Sequence, residues 1–253
     1  MNSDLVQLSD WFRANKLSLN VSKTNMLTIG KCGNVNIKLD DHMLEKKQKV
    51  KFLGIWIDDK LLWSDQINYI KSKISKSLYI MQSMKHILNQ KHMLNLYNTM
   101  IRPYLSYGLL IWGCTYSTYL KKLVIQQKKA IRSVFNAEYN SHTTPLLKKT
   151  TILKLEDMIV LDTCIFLHNL CHSNMPQPIV DIFDFNKNIH TYQTRQANLP
   201  HQSQVNRSLT MRSLYNVSVK NFQKLPNHIK EVNKASLFKS LTQKYLFDTH
   251  YHT

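Results

Sequence analysis

After Trp63 the spacing of the apolar residues becomes helical and mostly stays so, and this change most limits the folds that the sequence can adopt. Before it, Val50, Phe52 and Ile57 belong to a short apolar run of the kind that forms strands. After it, apolar residues recur every three or four positions, which is the spacing of an amphipathic helix. The sequence therefore predicts an α+β fold: a small antiparallel sheet with one helix, followed by a mostly α-helical body.

The first part of the chain contains one predicted helix and three predicted strands. Leu5, Leu8 and Trp11 have helical spacing, so residues 4–15 are predicted to form an amphipathic helix. The predicted strands are residues 24–29, 35–39 and 49–58, with a turn at Cys32–Asn34.

The second part is predicted to be helical nearly throughout. A long helix capped by Ser64 and Asp65 carries one apolar stripe, made of Ile67, Ile70, Ile74, Leu78, Met81 and Leu88. The next helix reaches Pro103, which kinks or ends it. Further helices are predicted over residues 119–135, 153–171, 212–222 and 236–247, whereas residues 186–208 are polar and have no clear period.

Positive charge is concentrated in the middle of the chain. The whole sequence has 34 Lys and Arg against 16 Asp and Glu, formally +18, and residues 61–150 alone have 13 against 2, or +11. At 100° per residue, two predicted helices each carry their cations on the side opposite the apolar stripe. Such faces suit nucleic-acid phosphates, although a basic surface without a partner is the alternative. The predicted nucleic-acid-binding residues are Lys73, Lys76, Lys121, Lys122, Lys128, Lys129 and Arg132.

The cysteines and the lack of long apolar runs narrow the class of protein. The four cysteines are too few and too scattered for a disulfide framework. Cys164, His168, Cys171 and His172 have donor chemistry that suits zinc. They lie, however, in a segment with residues at helical spacing, which favours a buried helix over a zinc site; these residues are Leu161, Ile165, Phe166, His168 and Cys171. No apolar run approaches the roughly 20 residues of a membrane span, so the expected location is intracellular, nuclear or cytoplasmic, with no membrane partner.

An ordered set of motifs runs through nearly the whole chain. The set comprises DLVQLSDWFRANKLSLNVSKTNMLTIG (4–30), VKFLGIWID (50–58), QQKKAIRSVFNA (126–137), HTTPLLKKTTILKLEDM (142–158), QTRQANLP (193–200), KLPNHIK (224–230) and SLFKSLTQKYL (236–246). In this order the motifs make the chain resemble the reverse transcriptases of non-LTR (LINE-type) retrotransposons, the jockey-like elements in particular. One departure is Phe222-Gln223, which stands where the family commonly carries Trp-Asn.

The resemblance implies a role for each part of the chain. Residues 1–62 would be the end of the palm with the primer-grip hairpin, residues 63–140 a helical thumb-like basic segment, and residues 141–253 a C-terminal helical region of undefined role. Lys23 matches a lysine thought to assist the leaving pyrophosphate, and its alternative is an exposed lysine before a strand. Phe52, Leu53 and Gly54 match the strand that grips the primer. The implied partner is RNA or an RNA–DNA template–primer duplex.

Trp56-Ile57-Asp58-Asp59 has the form of the metal-binding twin-aspartate turn of reverse transcriptases. In the family, however, that turn precedes the segment matched by Trp11, so it is expected upstream of Met1. Two-metal catalysis also needs a further carboxylate on a separate strand. Asp58 and Asp59 are therefore interpreted as a solvated turn at a strand end. No cofactor is predicted in this chain, and Mg²⁺ is expected only together with an upstream palm.

Three hypotheses about function remain open from the sequence. The first is a C-terminal reverse-transcriptase fragment that binds template–primer but does not polymerise alone. The second is a non-catalytic basic module that binds nucleic acid or protein. The third is a degenerate fragment whose unpaired strand edges favour aggregation.

Overall fold

The computed structural model of the chain describes residues 2–18, 20, 23–30, 36–39, 42–172, 174–189, 199–201, 206 and 208–251. The chain divides into two compact units, residues 1–66 and residues 67–253. The predicted α+β class is confirmed. The predicted segment boundaries at residues 62 and 140 stay a prediction. The turn predicted at Cys32–Asn34, the start of the second predicted strand and most of 190–207 lie outside the described residues.

The first unit combines one helix with short strands. Its elements are α1 (Asn2–Ala14), β1 (Asn25–Met26), β2 (Lys38–Leu39), β3 (His42–Met43), β4 (Glu45–Lys46), β5 (Lys49–Phe52) and β6 (Ile55–Asp58). Among the described residues of this unit, the strands form three separate pairs: β1 with β4 in parallel, and β2 with β3 and β5 with β6 antiparallel. The prediction of one antiparallel sheet was therefore wrong for β1, which has a parallel partner.

The run KVKFLGIWID is a hairpin and not the single strand that its composition predicts. Lys49 to Phe52 pair with Asp58 to Ile55 across a two-residue turn. Both turn residues have left-handed backbone, with φ of 45° at Leu53 and 85° at Gly54. Positive φ at both central positions matches the twist of the paired strands. Glycine adopts this conformation readily, whereas leucine does so at a cost of about 1 kcal/mol.

Helices make up nearly all the regular structure described in the second unit. The chain enters this unit within α2 (Ser64–Met84). The elements that follow are α3 (Gln90–Met100), α4 (Arg102–Ser106), α5 (Leu109–Trp112), α6 (Ser117–Val134), α7 (Thr144–Lys148), α8 (Leu155–Cys171), α9 (Gln177–Val180), α10 (Asn186–Ile189), α11 (Ser208–Met211), α12 (Leu214–Gln223), α13 (Asn227–Lys230) and α14 (Ala235–Tyr251). Pro103 lies in the first turn of α4, where its missing N–H costs no helical hydrogen bond, so the predicted helix ends before it.

The core of this unit follows the predicted periodicity. The α2 stripe is buried at Ile67, Ile70, Ile74, Leu78 and Met81, whereas Leu88 lies beyond the end of the helix and is half-buried. A second cluster is centred on α8, against which α12 and α14 pack. Phe166 of α8, Phe222 of α12 and Phe238 of α14 are among its buried members. Within the described residues, no helix is both long and apolar enough to cross a bilayer.

A buried amide joins α6 to α3 and to the start of α8. The Gln127 Nε2 group donates to the Tyr97 hydroxyl at 3.0 Å and to the Leu153 carbonyl at 2.9 Å. The Gln127 Oε1 atom accepts from the Leu155 N–H at 2.9 Å. Since Gln127 is 4% exposed, an unpaired amide there would be costly, and the three bonds fix the position of α6.

The Cys and His residues of α8 belong to the core, as their spacing predicts. Cys164 and His168 are fully buried, and burial raises the pKa of the Cys164 thiol to about 12. His168 Nε2 donates to the Val232 carbonyl at 2.6 Å, and its ring stacks on His172 at 4.1 Å and on Phe238 at 4.2 Å. In the described part of the chain, no three metal-ligating side chains come together. These contacts give the group a packing role that links α8 to the segment before α14.

Candidate nucleic-acid interface

The predicted basic side of α6 lies at the protein surface. Lys121 and Lys128 are exposed, and Lys122, Lys129 and Arg132 are half-buried. The opposite side is buried through Leu123, Gln126, Gln127, Ala130, Ile131 and Val134. Residues 117–134 contain no acidic residue, so nothing on α6 itself offsets the five charges. The prediction of a one-sided basic helix is therefore confirmed in its geometry.

The half-buried cations of α6 contact neutral groups. Lys122 Nζ donates to Asn68 Oδ1 of α2 at 3.1 Å and lies 5.7 Å from the centroid of the Tyr119 ring. Lys129 Nζ lies 5.9 Å from the centroid of the Tyr139 ring. Amide and aromatic contacts orient an ammonium group without cancelling its charge, so these groups keep their attraction for an anion.

Arg132 is held by the chain that follows α6. The helix ends with Asn136 in the left-handed region at φ 47°, and Ala137 N–H donates back to the Arg132 carbonyl at 2.9 Å while Asn136 N–H donates to Ser133. This is the Schellman arrangement, with asparagine in the place that glycine usually takes. The turn reverses the chain, and the Arg132 Nε–H donates to the Ser141 carbonyl at 2.8 Å.

The basic side of α2 has only two of the predicted cations, Lys73 and Lys76, and the contact described for Lys73 is with a residue of the same helix. Lys73 is half-buried, with its Nζ 5.5 Å from the centroid of the Tyr69 ring, and Lys76 is exposed beside Tyr79. Asn68, which meets Lys122, is five residues before Lys73 and so lies about 140° around the helix from it. The described contact therefore brings Lys122 of α6 to one side of α2, whereas Lys73 lies on another.

Four further residues beside the ends of these two helices were not predicted: Lys85, Tyr116, Tyr139 and Arg212. Lys85, at the end of α2, lines a hollow of about 240 Å³ together with Lys129, Arg132 and Tyr139. Arg212 stacks on Tyr116, with 3.5 Å between its guanidinium carbon and the ring centroid. Local spacing links Tyr69 with Lys73 and Tyr119 with Lys122, but no sequence signal links Arg212 with a ring nearly a hundred residues earlier.

The residues matched to the primer grip form the tip of the β5–β6 hairpin. Phe52 is 63% exposed and Leu53 is 74% exposed. Gly54 is required by the turn itself, since its φ of 85° places it in the left-handed region. An exposed apolar tip is suited to contact with another molecule. Its assignment to a primer strand stays a prediction.

Asp58 organises the turn that leads from β6 into α2. Its carboxylate accepts from the backbone N–H groups of Lys60 at 3.1 Å, Leu62 at 2.9 Å and Trp63 at 2.8 Å. Leu61 and Trp63 have positive φ, so this turn requires strong local bonds. Asp58 is 9% exposed, and the prediction that it is solvated was therefore wrong. The Asp58 carboxylate stays buried because backbone N–H groups donate to it, and such donors cannot be recognised in a sequence.

Lys23 is exposed in the segment before β1. Its backbone N–H donates to the carbonyl and to the side-chain oxygen of Asn20, at 3.0 and 3.3 Å. These bonds fix the main chain but not the ammonium group. The role implied for Lys23 at a leaving pyrophosphate stays a prediction.

The chain is similar to three RNA-directed DNA polymerases from Drosophila melanogaster. It is 26% identical to that of the mobile element jockey over an alignment of 143 residues, and the alignment covers 51% of this chain and 16% of that protein. It is 23% identical to the probable polymerase of the transposon X-element, over 60% of this chain and 17% of that protein. It is 24% identical to the probable polymerase of the transposon BS, over 49% of this chain and 14% of that protein.

These similarities confirm the resemblance to the jockey-like polymerases of non-LTR retrotransposons. The aligned part covers well under a fifth of each of the three relatives. No protein-family model matches the chain, and no solved structure matches it significantly.

Proposed function

We propose that this chain, which is similar in sequence to the RNA-directed DNA polymerases of jockey-like retrotransposons, binds template–primer nucleic acid through the basic sides of α6 and α2. The arrangement of α6 carries the proposal. Five cations lie along one helix without an acidic residue, and the three half-buried ones contact neutral groups in the described part of the chain. Such a side releases condensed counterions when it meets a duplex, and this release drives binding without base contacts.

The relatives support the same assignment from an independent direction. RNA-directed DNA polymerases act on a template–primer, and residues 61–150 are the most basic part of this chain. In the thumb-like role implied by the resemblance, the segment holds the duplex through its backbone. The exposed tip formed by Phe52 and Leu53 would contact the primer strand.

We propose further that this chain binds template–primer but does not polymerise alone. The Asp58 carboxylate is occupied by three backbone N–H groups, so it is poorly placed to bridge two metal ions with Asp59. Mg²⁺ would act with carboxylates of a palm outside this chain, whereas lysine and arginine contact phosphates directly. Primer extension with dNTPs, template–primer and Mg²⁺ is expected to give no product, and sustained extension would overturn this part.

The test of binding is the salt dependence of affinity for an RNA–DNA duplex. The variant Lys121→Gln/Lys128→Gln removes two exposed charges from α6, so the slope of log K against log salt should become shallower by about 2, since each phosphate contact contributes about 0.9. The control Lys220→Gln/Lys224→Gln removes the same charge from two exposed positions on and after α12. Equal slopes for the two variants would mean that only net charge matters and would refute the proposed interface.

A further inference from the structure

The hollow at the end of α6 combines cations and an aromatic ring in one place. A space of about 240 Å³ is lined by Lys85 just after α2, by Lys129 and Arg132 of α6, and by Tyr139 beyond the turn. The described lining residues include no carboxylate. Three positive charges around one small space would repel each other unless an anion joined them. Its ligand is therefore expected to be anionic.

The groups of the hollow are positioned by the fold. The turn at Asn136 returns the chain along α6, and the Arg132 Nε–H bond to the Ser141 carbonyl keeps the returning segment in place. In the described contacts that bond uses only Nε, so the two terminal guanidinium nitrogens remain available to an anion. A guanidinium fork matches the geometry of a phosphate, which takes two parallel hydrogen bonds.

Tyr139 distinguishes a nucleotide from a simple phosphate. Its side chain is 72% exposed, whereas large aromatic rings usually bury most of their surface against other groups. Lys129 Nζ lies 5.9 Å from the ring centroid, and the high exposure leaves most of the side chain accessible to solvent. Nucleobases stack on such rings in proteins that bind single strands. A base inside a duplex already has both faces stacked, so only an unpaired base can take this place.

The size of the hollow limits what it can hold. At about 240 Å³ it is smaller than the pockets of about 300–1,000 Å³ that enclose drug-sized ligands. It can accommodate a phosphate with part of its sugar, while the base lies outside against Tyr139. A complete nucleoside triphosphate would not be enclosed.

We infer that this hollow binds one unpaired nucleotide of a nucleic-acid strand, with the phosphate between Lys85, Lys129 and Arg132 and the base stacked on Tyr139. The inference rests on the proposed function, because it places this nucleotide where a strand leaves the duplex held by α6. It adds a preference for junctions between single and double strands, which the basic sides of the helices alone do not supply.

The test compares a blunt RNA–DNA duplex with the same duplex carrying a four-nucleotide single-stranded tail, by fluorescence anisotropy at fixed salt. The wild-type chain should bind the tailed duplex about tenfold more tightly, and Tyr139→Ala should remove this advantage, since stacking accounts for a factor of that size. Tyr139→Phe should retain it. Tyr107→Ala removes another exposed tyrosine, outside the hollow, and should leave it unchanged.

The outcomes separate this inference from the proposed function. Equal affinity for the two duplexes, or a tail preference that survives Tyr139→Ala, would overturn the unpaired-nucleotide site while duplex binding stood. If the wild-type chain bound neither duplex, the proposed function would fail first. If Lys129→Gln weakened the blunt and the tailed duplex by the same factor, the phosphate in the hollow would belong to the duplex, which would also overturn the inference.

Discussion

Replacing Asp58 by alanine is expected to lower the free energy of unfolding by about 2–4 kcal/mol. Three backbone N–H groups lose their acceptor, at Lys60, Leu62 and Trp63. Water can reach the exposed Lys60, so its loss is small, whereas the two half-buried groups should cost about 1–2 kcal/mol each. The positive φ values of Leu61 and Trp63 add strain that the carboxylate no longer offsets.

The measurement is urea denaturation followed by tryptophan fluorescence, because Trp63 lies in this turn and Trp56 lies in β6, just before it. Asp59→Ala is the matched control, since it removes the same charge one residue away. The Asp59 backbone N–H bond to the Gln48 carbonyl survives that substitution, so a change within about 0.5 kcal/mol is expected. If Asp58→Ala were as mild as the control, or if Mg²⁺ stabilised the wild type and neither variant, the structural role of Asp58 would be wrong.

Three other predictions concern the turn, the core and the interface. Leu53→Gly should stabilise the hairpin by up to about 1 kcal/mol and Gly54→Ala should destabilise it by a similar amount, both checked by thermal unfolding, because each position has positive φ. Burial lowers the pKa of His168, so below about pH 6.5 the unfolded chain binds more protons than the folded chain. The free energy of unfolding should therefore be at its full value above about pH 6.5 and fall below it. The fall should be weaker in His168→Gln. EDTA should leave duplex affinity unchanged, because lysine and arginine bind phosphates without a metal; a loss of affinity on chelation would contradict direct contact.

Periodicity was a sufficient guide wherever one side of an element faces the core. The α2 stripe from Ile67 to Met81 is buried as predicted, because a long helix repeats the same signal several times. The exposure of Lys121 and Lys128 follows from the same helical periodicity, because both lie on the side of α6 opposite its buried residues. Element type could thus be read from the sequence across most of the helical unit.

Prediction was weaker where backbone groups decide the structure. KVKFLGIWID is continuously apolar at its centre, so nothing marks a turn except Gly54, and its neighbour Leu53 takes an unfavourable conformation. The burial of Asp58 depends on donors from the main chain, which every sequence has. The turn that ends α6 has Asn136 where a glycine is usual, so no glycine marks it in the sequence. For this reason it could not be predicted that Tyr139 and Lys85 line the same hollow.

The buried Gln127 amide makes one backbone proton a reporter of how the helices separate. Amides in the first turn of a helix have no intrahelical acceptor and ordinarily exchange quickly with solvent. The Leu155 N–H, at the first residue of α8, is bonded instead to a side chain of α6. The Leu155 N–H is therefore protected from hydrogen exchange only while α6 remains packed against α8. Its exchange rate measures the free energy of separating these two helices.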